Sequence, residues 1–120
     1  MTEPRTDIDF QLLFESAPDL YLVLLADENF TIVGVNTAYA NATMTKPDEI
    51  IYKGLFEVFP DNPNDISADG VSNLRASLNS VVKNKSSNTM ALQKYDIRKP
   101  NGEFENRYWR PHNKPVLDAE

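Results

Sequence analysis

Polar and apolar positions recur with different periods along this chain, and the changes of period mark its elements. Phe10, Leu13 and Phe14 share one helical stripe, which predicts a short helix over about residues 8–16 that Pro18 stops. Two β-rich apolar runs, residues 20–26 and 30–35, flank the polar turn Asp27-Glu28-Asn29, the pattern of a hairpin. Asn36 stands where a helix N-cap belongs, and an Ala-rich helix over 37–43 follows. Residues 20–43 therefore predict a hairpin and then a helix folding back over one face, and the rest of the chain is organised around them. The first strand is apolar on both sides, with Leu22, Leu24 and Ala26 on one and Tyr21, Val23 and Leu25 on the other. A strand apolar on both faces is covered on both. The domain's own helices cover one face, and the N-terminal helix or a partner chain covers the other.

Further along, Thr45-Lys46-Pro47-Asp48-Glu49 reads as a second helix start, with Thr45 and Asp48 at capping-box spacing. Ile50, Ile51, Leu55, Phe56, Val58 and Phe59 supply core residues around Gly54. Residues 60–69 form an Asn- and Asp-rich loop. Its Asp61, Asn64, Asp65 and Asp69 superficially suggest a calcium site, but Pro63 interrupts it, the glycine is misplaced and the bidentate Glu is missing. Residues 70–83 carry the clearest helical stripe, Val71, Leu74, Leu78, Val81 and Val82. Residues 89–98 and 103–111 form a second hairpin around Lys99-Pro100-Asn101-Gly102.

With Pro100 and Asn101 at the tip, Ile97 faces Phe104, Tyr95 faces Asn106 and Gln93 faces Tyr108. Leu92 then meets Trp109, and Met90 meets Pro111. A three-residue loop would shift these pairs. The two-residue register puts Gln93, Tyr95, Ile97, Phe104, Asn106 and Tyr108 under the helices. It puts Leu92, Trp109 and Met90 on the outer face beside Tyr21, Val23 and Leu25.

At 120 residues the chain is expected to be one domain, residues 1–120, with residues 1–6 disordered. There is no cysteine, which excludes disulfides, thiolate metal sites and cysteine nucleophiles. The net charge of −6 argues against a phosphate-backbone binder, so nucleic acid is not an expected partner. No apolar run approaches the roughly 20 residues of a membrane helix, and the N-terminus is polar and acidic. A cytoplasmic protein without membrane contact in this chain is expected.

An enzymatic signature is not evident. His112, the single histidine, has no carboxylate at short spacing and reads as an exposed strand-end residue. Neither a phosphate loop nor a metal-spaced cluster occurs. A small α+β enzyme with a pocket under its helices is the alternative, and it would need an inward-facing Asp or Glu.

The order of elements is helix, strand, strand, three short helices or helical turns, long helix, strand, strand. In this order the chain resembles a PAS domain of bacterial signalling proteins such as sensor kinases. The resemblance rests on Phe14-Glu15-Ser16-Ala17-Pro18-Asp19, on Ile32-Val33-Gly34-Val35-Asn36 and on Gly54-Leu55-Phe56-Glu57-Val58-Phe59-Pro60. It continues with Tyr95-Asp96-Ile97-Arg98 and with residues 102–109.

It implies an α+β fold, a five-stranded antiparallel sheet with helices over one face. The chain ends where the turn into the fifth strand is expected, so a fragment is expected. The gap would be closed by direct pairing of the first and fourth strands, by exchange with another chain or by an added strand. Tyr52 stands where many relatives have Gly, and it would be strained if that position needs positive φ.

The resemblance also implies a sensory or interaction module with no catalysis of its own, forming a homodimer and relaying a signal to an attached or partner output domain such as a kinase. Pure dimerisation with a filled core is the alternative. Cysteine-linked flavin or chromophore is excluded by composition. A haem of the usual PAS type needs a histidine on the long helix, which has none, while non-covalent flavin or a small organic ligand stays open. The implied pocket residues are Leu22, Leu24, Val33, Val35, Tyr39, Phe56, Leu74, Leu78, Gln93, Tyr95, Asn106 and Tyr108. The implied interaction face is Phe10, Leu13, Phe14, Tyr21, Val23, Leu25, Leu92 and Trp109.

Overall fold

The computed structural model describes residues 7–118, and the disorder expected of residues 1–6 lies outside them. Helix α1 (Phe10–Ser16) starts where the Asp9 side chain accepts from Leu12 N. Strands β1 (Leu22–Leu24) and β2 (Ile32–Val35) form the first hairpin. Its turn is closed by Asp27, whose carboxylate accepts from the backbone and hydroxyl of Thr31 at 3.0 and 2.7 Å. Helices α2 (Thr37–Thr43), α3 (Pro47–Ile50) and α4 (Leu55–Val58) follow, and then the long α5 (Gly70–Asn84). The Asp61 carboxylate accepts from Val71 N and so caps α5 from the preceding loop. Gly70 is needed at that helix start, because a Cβ there would lie 2.5 Å from the Tyr95 ring.

The second hairpin is split into three short ladders. These are β3 (Asn88–Thr89) with β8 (His112–Asn113), β4 (Gln93–Lys94) with β7 (Tyr108–Trp109), and β5 (Ile97–Arg98) with β6 (Phe104–Glu105). Its turn is the three-residue loop Pro100-Asn101-Gly102, closed by Lys99 N donating to Glu103 O, with Gly102 at φ +92°. Gly adopts that φ without steric cost. The pairs are therefore Ile97 with Glu105 and Gln93 with Trp109, one residue off the two-residue-tip register. A slip of one residue turns each side chain of a strand to the other face. Trp109 thus joins Gln93 and Tyr95 on the inner face, where its Nε1–H donates to Tyr95 O at 2.9 Å. Asn106 and Tyr108 turn outward and are exposed. Between Met90, which bonds Pro111 O, and Gln93, the strand holds one extra residue. That bulge at Ala91-Leu92 lets Met90 point inward and be buried, while Leu92 stays outside.

A bulge also shifts the first hairpin, where Leu22 pairs with Val35 and Leu24 with Ile32. Ile32, fully buried, takes the inward place that strict alternation gives Val33. Ile32, Val35, Ala40, Ile50, Leu55, Phe59, Leu78 and Ile97 belong to one core under the helices, with Phe30 and Tyr95.

The two hairpins share no ladder among the described residues. Direct pairing of the first strand with the last, one of the expected closures, does not occur. Asn36 N bonds Tyr21 O, and Leu25 N bonds Thr31 O, so the backbone groups of Leu22 and Leu24 point away from β2. They face the gap between the hairpins.

Asn36 ties these parts together. It is fully buried, and its Oδ1 accepts from Tyr21 N and from Tyr39 N, each at 3.0 Å. Its Nδ2 donates to Asp19 O at 2.6 Å and Ala17 O at 3.3 Å. One side chain thus caps α2, anchors the start of β1 and holds the end of α1.

Tyr52 sits at φ 70°, and this backbone lets Tyr52 N and Lys53 O bond Ile32 on both sides, at 2.7 and 2.9 Å. Its side chain is exposed and brings no compensating burial.

Two outcomes follow from these geometries. Asn36→Ala removes a cap and strands several buried backbone groups, for a loss of about 3 kcal/mol or more. Asn36→Asp keeps the acceptors but turns a carboxylate onto two carbonyls, and it loses more stability at neutral pH than at about pH 3. Urea unfolding of both variants measures this. Tyr52→Gly relieves the left-handed backbone at some entropic cost, for a net gain of up to about 1 kcal/mol. It should raise the urea midpoint at unchanged slope, and Tyr52→Ala should not.

Candidate functional site

A cavity of about 590 Å³ occupies the gap between the hairpins, roofed by α2 and α5. Leu22 and Leu24 of β1 form one wall, and Met90, Gln93, Tyr95, Ile97 and Trp109 of the second hairpin form the other. Tyr39, Leu55, Phe59, Leu74 and Leu78 close it from the helical side, and Asp19, Arg110 and His112 lie among its lining residues. A mainly apolar interior with a few polar groups is the usual character of a small-molecule site.

Most polar groups in this cavity already have partners. Gln93 Oε1 accepts from Asn73 Nδ2 at 2.9 Å, and its Nε2 donates to Ala91 O at 3.0 Å. Tyr95 donates its hydroxyl to Phe59 O, and burial raises its pKa. Ser77 donates to Asn88 and accepts from Asn113, and Thr89 shares a 2.6 Å hydrogen bond with His112 Nδ1. Tyr39 differs. Its ring stands edge-on to Phe59, with centroids 6.2 Å apart, and its hydroxyl makes no hydrogen bond among the described residues. Burial pushes its pKa up to about 12, so the hydroxyl keeps its proton at neutral pH. Tyr39 is half-buried and is one of the cavity's lining residues.

Of the twelve residues predicted for a pocket, Leu22, Leu24, Tyr39, Leu74, Leu78, Gln93 and Tyr95 line this cavity. Val33 does not, because of the bulge in β2, and Val35 is buried in the core instead. Phe56 packs edge-on against Phe30 under the Arg75 guanidinium, away from the gap. Asn106 and Tyr108 face outward for the register reason given above. Trp109 and Met90 line the cavity although strict alternation put them outside. A Gly directly after Pro-Asn, the mark of a three-residue loop, was the signal for the Trp109 shift. The Met90 bulge had none.

On the outer side, Phe10, Leu13, Tyr21, Val23 and Leu25 are exposed, while Phe14 is half-buried and stacks on Tyr21 at 6.3 Å between centroids. Leu92 is exposed on the second hairpin. Trp109 does not belong to this face.

A second cavity, of about 560 Å³, lies between α2–α4 and the tip of the second hairpin, lined by charged residues of both signs. Beside it the Lys94 ammonium bridges Asp65 and Asp96, at 2.8 Å from each. Asp96 is buried, and burial alone would raise its pKa. Hydrogen bonds from Lys94, Asn62 and Arg107 N outweigh that and lower it. Lys94, and then Ser67, hold Asp65 down to about 2. Hydrogen bonds to Asp65 and Asp96 raise Lys94. Among the described residues no His/Cys/Asp/Glu group could hold a metal ion, and no helix is long and apolar enough to cross a membrane.

Neither a family model nor a curated protein matches the chain. Solved structures do. The PAS domain of an HTR-like protein from Haloarcula marismortui matches with TM-score 0.52 at 18% identity, over 84% of this chain and 77% of that one. This chain has the PAS fold. An RNA-binding light-oxygen-voltage receptor matches with TM-score 0.62 at 13% identity, over 99% of this chain but 32% of that one. A variant of Vivid matches with TM-score 0.55 at 15% identity, over 99% and 82%. In these PAS-like terms the described residues supply two hairpins and the helices over one face, with the cavity where the sheet is open.

The Lys94 bridge has a pH signature. Both carboxylates titrate below their ordinary range, so their stabilisation is present above about pH 4 and is lost as pH falls toward about 2. The raised Lys94 contributes fully below its ordinary pKa of 10.5 and loses its contribution at higher pH. In Lys94→Met the two carboxylates face each other without a cation. Its urea midpoint should fall less than that of the wild type between about pH 4 and 2, or rise.

Proposed function

We propose that this chain is a non-catalytic sensory module that holds a small organic molecule between its hairpins and relays occupancy through its outer face to a second copy or an output domain such as a kinase. The observation that carries this is the position of β1. Leu22 and Leu24 line the cavity, and Tyr21, Val23 and Leu25 of the same short strand form the exposed apolar face under α1. A ligand that shifts β1 therefore moves the outer face directly, and it can bias that shift only by its differential affinity for the two positions. The PAS fold supports a sensory role. The lack of cysteine rules out a flavin–cysteinyl photocycle for this chain, whatever the light-oxygen-voltage neighbour does.

A pairing role for the outer face is favoured by its apolar content. Phe10 is 70% exposed and Leu13 60%, on a helix with no buried residue, beside Tyr21, Val23 and Leu25. Contiguous apolar surface of this kind marks an interaction site. A second copy, bringing the same patch, fits it without new chemistry. The gap itself exposes backbone groups of Leu22 and Leu24, which an extended segment of another chain could also pair.

Native mass spectrometry of the freshly purified protein tests the sensory reading. The expected result is a mass above the 13.6 kDa chain that denaturation removes. A bare mass under all conditions overturns ligand binding as the protein's state on isolation. For the relay surface, Leu13→Asp with Val23→Asp should weaken self-association at least about tenfold, because both positions are exposed and each buries a charge on pairing. An unchanged sedimentation profile overturns pairing through this face.

A further inference from the structure

Several polar groups deep in the main cavity have their bonding complete, and the Tyr39 hydroxyl does not. Gln93 has both ends of its amide engaged, Tyr95 donates to Phe59 O, and Trp109 Nε1 donates to Tyr95 O. The Tyr39 hydroxyl has no partner among the described residues, although the residue is half-buried. A half-buried hydroxyl without a protein partner is free to bond water or a ligand. Among the described residues no fully sealed side-chain polar atom lacks a partner, so the Tyr39 oxygen borders open space, and Tyr39 lines this cavity.

Local structure fixes the direction of that hydroxyl. Tyr39 lies in the first turn of α2, where its own N–H is held by the Asn36 cap at 3.0 Å. Its ring is set edge-on against Phe59 at 72°. The hydroxyl is thus a preorganised donor, protonated at neutral pH, at the helical side of an apolar chamber.

We propose that the cavity takes a neutral ligand with a flat or branched apolar body and one hydrogen-bond acceptor, a carbonyl or ring nitrogen, which the Tyr39 hydroxyl reads. This inference rests on reading the cavity as a ligand pocket. The apolar walls disfavour an ionised ligand. Leu22, Leu24, Leu74, Leu78 and Met90 offer no charge to an ionised headgroup. The charged lining residues Asp19 and Arg110 are exposed, where an ion could keep its water. A volume near 590 Å³ suits a molecule of one to three fused rings.

The test uses two probes that differ in one group, acetylnaphthalene and ethylnaphthalene, with binding read by quenching of Trp109, the single tryptophan, which lines the cavity. The wild type should bind acetylnaphthalene about three- to tenfold more tightly, the net worth of one hydrogen bond. Tyr39→Phe keeps the ring and should bring the two probes level without weakening ethylnaphthalene. Leu74→Phe, which narrows the chamber, should weaken both probes together.

Equal affinities in the wild type, or a preference that survives in Tyr39→Phe, overturn the assignment to Tyr39 and leave the pocket standing. Failure of both probes to bind, or affinities indifferent to Leu74→Phe, overturns the pocket reading and the inference with it.

Discussion

The structure depends on the hydrogen bonding of Asn36. Four bonds from one fully buried amide join the end of α1, the start of β1 and the first turn of α2. Each partner is a backbone group that would otherwise be buried without a bond or opened to water. An amide is suited to this place because it offers acceptor and donor together; a carboxylate, a hydroxyl or an aliphatic side chain leaves part of the set unmet. The position of Tyr39 follows from the same residue, since the cap that starts α2 also sets the turn carrying that ring. The anchoring of β1 and the donor in the cavity are two consequences of one side chain.

Around this anchor the sheet is open. Two-stranded hairpins are marginal by themselves, and here each is held by helices. Ile32 and Val35 of the first hairpin and Tyr95 and Ile97 of the second share one core with Ala40, Ile50, Leu55, Phe59 and Leu78 of the helical side. Gly70 brings α5 onto the Tyr95 ring closely enough that any side chain at 70 would collide with it. The helices therefore hold the hairpins at a distance from each other, and the space left between them is the cavity. Its walls are apolar because the inner faces of both hairpins were built to be covered.

The outer face has the opposite condition. α1 rests on the first hairpin through Phe14 and Tyr21, while most of its apolar stripe stays in solvent. In the proposed function, this three-residue strand, with the cavity on one side and the stripe on the other, is the path between ligand and partner. Shifts of a strand edge by fractions of an ångström are enough to alter how an apolar face fits a partner, because packed surfaces fit in discrete ways. The Lys94 bridge to Asp65 and Asp96 ties the 60–69 loop to β4, outside this path, and reads as a structural brace.

Local chemistry alone determined much of this protein. The Asn36 cap, the α5 stripe, the Asp27 turn and the order of elements are set by residues within a few positions of one another, and all were legible in the sequence. The PAS resemblance rested on that order. What sequence could not decide was how strands meet. Faces alternate with period two, so one inserted residue exchanges inside for outside. The loop through Gly102 moved Trp109 in and turned Asn106 and Tyr108 out, and the bulges at Ala91-Leu92 and Val33 did the same for Met90 and Ile32. Seven of the predicted pocket residues line the cavity because they sit on helices or on the unshifted β1 and β4 positions. The separation of the hairpins, and with it the cavity, was set by the helices packed between distant parts of the chain, a balance that no local pattern encodes.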